Sequence, residues 1–244
     1  MNFSLQNSFV LNASSARASA VMIFLHGIGD NGATWADAFS QMKHEKVKYI
    51  FPNAPSLPIS YHGGVKMPAW YDLRTKSRSD EDKEGIQLAA KALREFIHSQ
   101  ALETGLSSSQ IFLGGFSMGA CLALYTALTH EEPLGGVIAL SSYLPLSKMF
   151  VEGTENHSLT KQTCEIFQGH GDSDKIVTLS PGSPFKETLD ILKRGRSVMH
   201  ESQQPVFKVY PGMGHEVCPQ EMVDVKSSIN KWMAAIEKHQ SSSL

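Results

Sequence analysis

Cysteine is scarce: Cys121, Cys164 and Cys218 are the only three in 244 residues. An odd number at those spacings is neither a disulfide framework nor a zinc pattern, so buried, reduced thiols and a cytoplasmic setting are expected. Long apolar runs are missing too. None approaches the roughly 20 residues that a helix needs to cross a bilayer, so at most transient membrane contact is expected. The opening stretch, Met1 to Asn7, has no charged segment leading into an apolar one, so no secretory leader is expected. Glycine is absent from position 2 and a prenylation cysteine from the end, which argues against lipid anchoring by those routes. No charge of one sign dominates. With 22 basic and 24 acidic residues the formal net charge is -2, and no basic stripe stands out. A nucleic-acid partner is therefore not expected. Internal repeats and linkers are also absent.

What remains is a globular composition, 41% hydrophobic and 19% charged. The length suits a single α/β domain over 1–244, with 1–19 as an N-terminal strand or extension and 239–244 as a frayed polar tail. Short apolar bursts recur, each running into glycine, proline or serine: Val21 to Leu25, Val47 to Phe51, Ile111 to Leu113, Gly136 to Leu140, Cys164 to Gln168 and Val206 to Tyr210. Nearly continuous apolar runs of this length mark strands buried on both faces. Between them lie helical patterns. Apolar residues recur near a 3.6 period from Glu84 to Glu103, where Ile86, Ala89, Ala90, Leu93, Phe96 and Ile97 share a face. Ala120 to Leu128 is almost wholly small or apolar, and Phe185 to Lys193 and Gln220 to Lys238 supply further helices. Strands alternating with helices predict a mostly parallel sheet with right-handed crossovers. The charged, serine-rich stretch Arg74 to Glu84 reads as a solvated loop. Ligands of such sheets bind beyond the C-terminal strand ends, which directs attention to the residues just after each burst.

After the third burst comes Gly115-Phe116-Ser117-Met118-Gly119, a G-x-S-x-G pattern at a strand-to-helix junction. Glycines beside the serine suit a sharp turn that leaves no room for Cβ atoms, and the turn lifts the hydroxyl above the sheet. Alone, the pattern fits equally a glycine-rich turn with an incidental serine. A serine nucleophile needs a histidine base, and the base needs an acid that fixes its tautomer. The chain order should be serine, acid, histidine, each on a loop after a strand. "GHGDSDKIV" and "PGMGHEV" provide this, with Asp174 and His215 lying 57 and 41 residues further on in turn. Asp172 competes with Asp174. Asp174 sits later in its loop, where it can turn toward the histidine, whereas Asp172 follows Gly171 and can cap the turn; both stay open on residue chemistry alone. His170 precedes the acid and reads as structural. A metal site from His170, Asp172 and Asp174 lacks a second cluster to complete it. The oxyanion of an acyl transfer needs two backbone N–H groups. Met118 offers one, and Ile28 in "LHGIGDNG" offers the other. Together these features point to a serine hydrolase.

The segments "FLHGIGDNG", "PNAPSLPIS", "MPAWYD", "LGGFSMGACLALYTAL", "LSSYLPL", "GHGDSDKIV" and "GMGHEVCPQEM" resemble the acyl-protein thioesterase, lysophospholipase and carboxylesterase family of α/β-hydrolases, from about Val21 to Ile236. The resemblance implies an α/β-hydrolase fold, a mostly parallel central sheet with helices on both faces. It places the nucleophile on Ser117, the base on His215, the acid on Asp174 and the oxyanion donors on Ile28 and Met118. It implies no metal and no cofactor. The implied substrates are S-acylated, chiefly palmitoylated, proteins, or lipid and small esters. Four places depart from the family pattern, one of them small: Val177-Thr178 replaces the usual valine-proline. Met118 stands where many members have glutamine, Tyr143 where the animal enzymes have tryptophan, and Asn2 where those carry an acylated cysteine. Trp70, Met67, Tyr143 and Leu144 are expected to wall an acyl channel. A monomer or weak homodimer is expected. The competing expectations are a broad carboxylesterase or lysophospholipase using the same residues, and a non-catalytic α/β-hydrolase that binds an acyl ligand.

Overall fold

The computed structural model describes residues 3–75, 80–151, 164–195 and 204–241. Seven strands form one sheet: β1 (Ser8–Leu11), β2 (Ala20–Leu25), β3 (Val47–Pro52), β6 (Ile111–Phe116), β7 (Gly136–Leu140), β8 (Glu165–Gly171) and β9 (Val206–Tyr210). Their order across the sheet is β1-β3-β2-β6-β7-β8-β9. Only β1 runs antiparallel, with Phe9 opposite Phe51. A separate hairpin pairs β4 (Ser56–Ile59) with β5 (Val65–Pro68).

Among the described residues there are six α-helices. They are α1 (Gly32–Ser40), α2 (Lys83–Thr104), α3 (Met118–Leu128), the short α4 (Lys148–Val151), α5 (Pro184–Gly195) and α6 (Pro219–Ser241). Strand alternation sends successive side chains to opposite faces. Val21, Ile23 and Leu25 of β2 join the core beneath α2 and α3, with Leu93, Ile97 and Leu122. Met22 and Phe24 join the opposite core, with Trp35 and Phe39 of α1 and Ile229 and Trp232 of α6. The sheet is thus covered on both faces, as expected. Every residue of α3 is buried, which explains its near-total lack of polar side chains.

The predicted strands and the four longer helices all form, with ends shifted by a few residues. α1 and the hairpin are additional to them. α1 starts where the Asn31 side chain accepts the N–H groups of Ala33 and Thr34, and it spans only nine residues. At the other end, α6 extends to Ser241, so residues 239–241 are helical where a frayed tail is expected. The rest of that tail, 242–244, lies outside the described residues, as does part of the charged loop, 76–79. Cys121 and Cys164 are buried, and Cys218 is half-buried. Among the described residues, no helix is long and apolar enough to cross a membrane.

Candidate active site

Ser117 occupies the junction between β6 and α3, beyond the C-terminal edge of the sheet. Its backbone sits at φ 51 and ψ -119, a conformation that non-glycine residues rarely adopt. Strain of this kind costs roughly 1–3 kcal/mol and persists only where neighbours enforce it. The glycines on either side show the enforcement. A Cβ on Gly115 would lie 2.5 Å from the Ala120 nitrogen, and one on Gly119 would lie 2.3 Å from the Leu25 carbonyl oxygen. The turn closes only because both positions lack a side chain.

The loops after β8 and β9 bring the other two groups to the serine. His215 Nδ1 lies 2.8 Å from Asp174 Oδ2, and His215 Nε2 lies 2.9 Å from Ser117 Oγ. The carboxylate can only accept, so Nδ1 carries the proton and donates it. Nε2 is then left with a lone pair for the serine O–H. The His215 ring rests on Phe116, centroids 5.0 Å apart.

Asp174 is buried and fully used. Its Oδ1 accepts the N–H groups of Ile176 and Val177 at 2.8 and 2.9 Å. Its Oδ2 lies 3.2 Å from His170 Nε2 as well as facing His215. Burial alone pushes the carboxyl pKa up. The hydrogen bonds from His170, His215 and the Val177 N–H outweigh it and hold Asp174 well below the usual carboxylate range. Asp172 has a different partner. It lies exposed, and its Oδ1 accepts the Gly212 N–H at 2.7 Å, tying the β8 loop to the turn after β9. The geometry therefore separates the two aspartates that residue chemistry leaves open. It also leaves His170, Asp172 and Asp174 unable to share one ion, because the carboxylates turn to different partners.

Ile28 and Met118 both reach the same cleft. Among the described residues, no backbone carbonyl accepts either N–H. The Ile28 loop is held from below by His26. The His26 Nδ1–H donates to the Gly27 carbonyl at 2.7 Å, and Nε2 accepts the Ala54 N–H at 3.0 Å. Burial keeps this imidazole below its ordinary pKa, which preserves the neutral form that both bonds need. Gly29 turns the loop at φ 79, and its N–H donates to the Pro68 carbonyl.

A cavity of about 320 Å³ opens at Ser117 and His215. Apolar and aromatic side chains wall it: Tyr61, Tyr71, Leu73, Tyr143, Ile176 and Val177, with Met118 and Cys121 from α3. A larger recess of about 630 Å³ lies elsewhere, between Gln110, Leu134, Trp232 and His239, and none of these site residues lines it.

The profile of the phospholipase/carboxylesterase family matches residues 6–233. The chain belongs to that family. An acyl-protein thioesterase 1 from Neurospora crassa is 38% identical over 218 residues, 85% of this chain and 84% of its own. One of the same name from Gibberella zeae is 36% identical, over 89% of this chain and 92% of its own. The crystal structure of Zea mays acyl-protein thioesterase 2 superposes with a TM-score of 0.76 at 26% identity, covering 94% of this chain and 98% of that one. The family is one of α/β-hydrolases, and the sheet order here agrees with it.

Against the expected channel walls the placement is mixed. Tyr143 lines the cavity, but Trp70, Met67 and Leu144 do not. Trp70 is buried beneath the Ile28 loop, where its indole N–H donates to the His26 carbonyl at 2.8 Å and its ring stacks on Phe3. Its neighbour Tyr71, in the bend after β5, lines the cavity instead. Leu144 turns into the main core, pinned by a 2.7 Å bond from its N–H to Thr188 Oγ1. Met67 sits on β5 and packs against that same core. Tyr61, Leu73, Ile176 and Val177 take their places. Ile176 and Val177 stand two and three residues after Asp174, so the apolar pair in "GHGDSDKIV" carried a signal for them.

Proposed function

We propose that this chain is a serine hydrolase that removes long-chain acyl groups from protein thiols through an acyl-enzyme on Ser117. The observation that carries it is the continuous hydrogen-bonded chain Asp174–His215–Ser117 at the mouth of an apolar cavity. The names of the thioesterase relatives support the choice of substrate.

His215, oriented by Asp174, takes the Ser117 proton as Oγ attacks the thioester carbonyl carbon. Negative charge gathers on the carbonyl oxygen, where the N–H groups of Ile28 and Met118 receive it. The C–S bond breaks and His215 returns the proton to the departing thiolate. Water then loses a proton to His215 and attacks the acyl carbon, and Ser117 leaves with that proton as the fatty acid is released. The acyl chain lies against Tyr71, Leu73, Tyr143 and Val177. Each methylene moved from water to such a wall contributes about 0.8 kcal/mol. Three reduced thiols fit a reducing compartment, and we place the reaction in the cytoplasm.

The family description also covers phospholipase and carboxylesterase chemistry, which would use the same residues. Steady-state hydrolysis of an S-palmitoyl peptide, an acetyl ester and a lysophospholipid separates these readings, with Ser117→Ala as control. The proposal expects kcat/KM highest for the palmitoyl thioester and lost with Ser117. A preference for the short ester overturns the substrate assignment. Turnover that survives in Ser117→Ala overturns the mechanism.

A further inference from the structure

We propose that His170 is a positioning residue for this reaction. Its Nε2–H holds and tunes the Asp174 carboxylate, and so acts on Ser117 through Asp174 and His215. The inference rests on the role given to Ser117 above.

His170 is the penultimate residue of β8 and is fully buried. Its Nε2 lies 2.6 Å from the Val177 carbonyl oxygen and 3.2 Å from Asp174 Oδ2. Both neighbours are acceptors, so Nε2 must carry the proton, and one N–H is shared between them. The other ring nitrogen, Nδ1, is buried without a partner among the described residues. A space-filling role alone would be met better by an apolar side chain, which would leave no orphaned nitrogen. The donor at Nε2 is what distinguishes a histidine here.

Asp174 Oδ2 stands between two imidazoles, His170 on one side and His215 on the other. Two backbone N–H groups already anchor Oδ1. The His170 bond therefore fixes the free end of the carboxylate, the oxygen that orients the base. From α5 the ring of Phe185 packs on His170 at 4.5 Å and brings no charge. Phe185 shares an apolar cluster with Cys121, Tyr143, Val177 and Leu189. Among the described residues, the charged partner of His170 is Asp174, with His215 across it, and the Cys121 thiol belongs to the apolar cluster beside Phe185. Removing the His170 donor concentrates charge on Oδ2. That stabilises the His215 imidazolium and moves the acid limb of the rate profile to higher pH. It also frees the carboxylate to swing, which lowers kcat without weakening substrate binding.

His170→Gln and His170→Met test this, because the two side chains have similar reach and only glutamine ends in an N–H donor. The readouts are kcat and KM for an S-acyl peptide, the pH dependence of kcat/KM, and Tm. We expect glutamine to retain most activity and the wild-type acid limb. We expect methionine to lose about ten- to a hundredfold in kcat, with KM unchanged and the acid limb moved to higher pH. Equal kcat and equal acid limbs in the two folded variants overturn the proposal. A measurement on the wild type covers the case in which neither variant folds. The ¹⁵N NMR spectrum is expected to show His170 as the Nε2–H tautomer, and an Nδ1–H tautomer overturns the proposal whatever the variants do. Failure here remains distinct from failure of the mechanism, which shows instead as turnover persisting in Ser117→Ala.

Discussion

Replacing Asp174 with asparagine changes one atom and tests the whole relay. The Oδ1 position accepts the N–H groups of Ile176 and Val177, so the amide oxygen of the asparagine would settle there and keep both bonds. The amide NH₂ must then occupy the Oδ2 position, facing His215 Nδ1 at about the same 2.8 Å. A donor at that place forces Nδ1 to accept, while the His170 Nε2–H, which also faces this position, keeps the Val177 carbonyl as its acceptor. The imidazole proton moves to Nε2, where it points at Ser117 Oγ and removes the lone pair that the base requires. In a serine triad this wrong tautomer costs about 10⁴ in kcat, or roughly 5.5 kcal/mol of transition-state stabilisation. The fold should survive, since the backbone anchors of the loop are intact. The assay is steady-state hydrolysis of an acyl thioester by Asp174→Asn, with circular dichroism to confirm folding. A folded variant within tenfold of wild-type kcat would refute the tautomer argument. A second signature is thermodynamic. Because the folded pKa of Asp174 is depressed, its carboxylate contributes stability that is present above the unfolded value of about 3.9 and is lost as pH falls toward the folded one. The stability gap between wild type and Asp174→Asn should therefore shrink as pH falls below about 4.

Other substitutions probe the supporting structure. Gly119→Ala places a Cβ 2.3 Å from the Leu25 carbonyl oxygen, a backbone atom that cannot yield. The variant should lose at least about 3 kcal/mol in urea denaturation, or fail to accumulate as folded protein. Ile176 lines the cavity and is half exposed. Ile176→Ser should raise KM for a long-chain thioester about fivefold, for roughly 1 kcal/mol of apolar contact, and leave an acetyl ester unaffected; equal effects on both would contradict that placement. Glu221 is buried in the first turn of α6 against Gly169, and neither carboxyl oxygen has a partner among the described residues. Burial, aided by the nearby Asp224 charge, pushes its pKa up to about 8. A raised folded pKa means stability that is present below the unfolded value near 4.3 and is lost as pH rises toward the folded one. Glu221→Gln should therefore gain stability relative to wild type by a few kcal/mol between pH 5 and pH 8, read from Tm at each pH. A gap that does not change with pH would contradict the buried acid.

Much of this site is legible in the chain because its parts follow a fixed order. Ser117 stands after an apolar strand with Cβ-free neighbours, and the loops carrying Asp174 and His215 each follow another such strand. The periodicity of α2 and α6 marks their buried faces for the same reason. What escapes is orientation. In "MPAWYD" the sequence advertises Trp70, the larger ring, but the indole turns under the loop to satisfy the His26 carbonyl and leaves Tyr71 to the cavity. No pattern in the linear chain reports that rotation. α1 is missed because only Trp35 and Phe39 mark its core face in nine residues, too few to set a period. Residue chemistry alone leaves Asp172 and Asp174 tied; the family resemblance favours Asp174, and in the structure Gly212, 40 positions away, takes the Asp172 carboxylate. His170 looks structural in sequence because its partner atoms, the Val177 carbonyl and Asp174 Oδ2, lie on a turn whose path the residues alone do not fix.

The most direct test of the central claim is to trap the covalent intermediate. Enzyme mixed with an S-palmitoyl peptide and quenched in acid within the first turnovers should show one palmitoyl increment by intact-mass spectrometry. Peptide mapping should place that increment on Ser117, and Ser117→Ala should show none. Turnover of the thioester with no adduct at any quench time, or an adduct that persists in Ser117→Ala, would contradict the account.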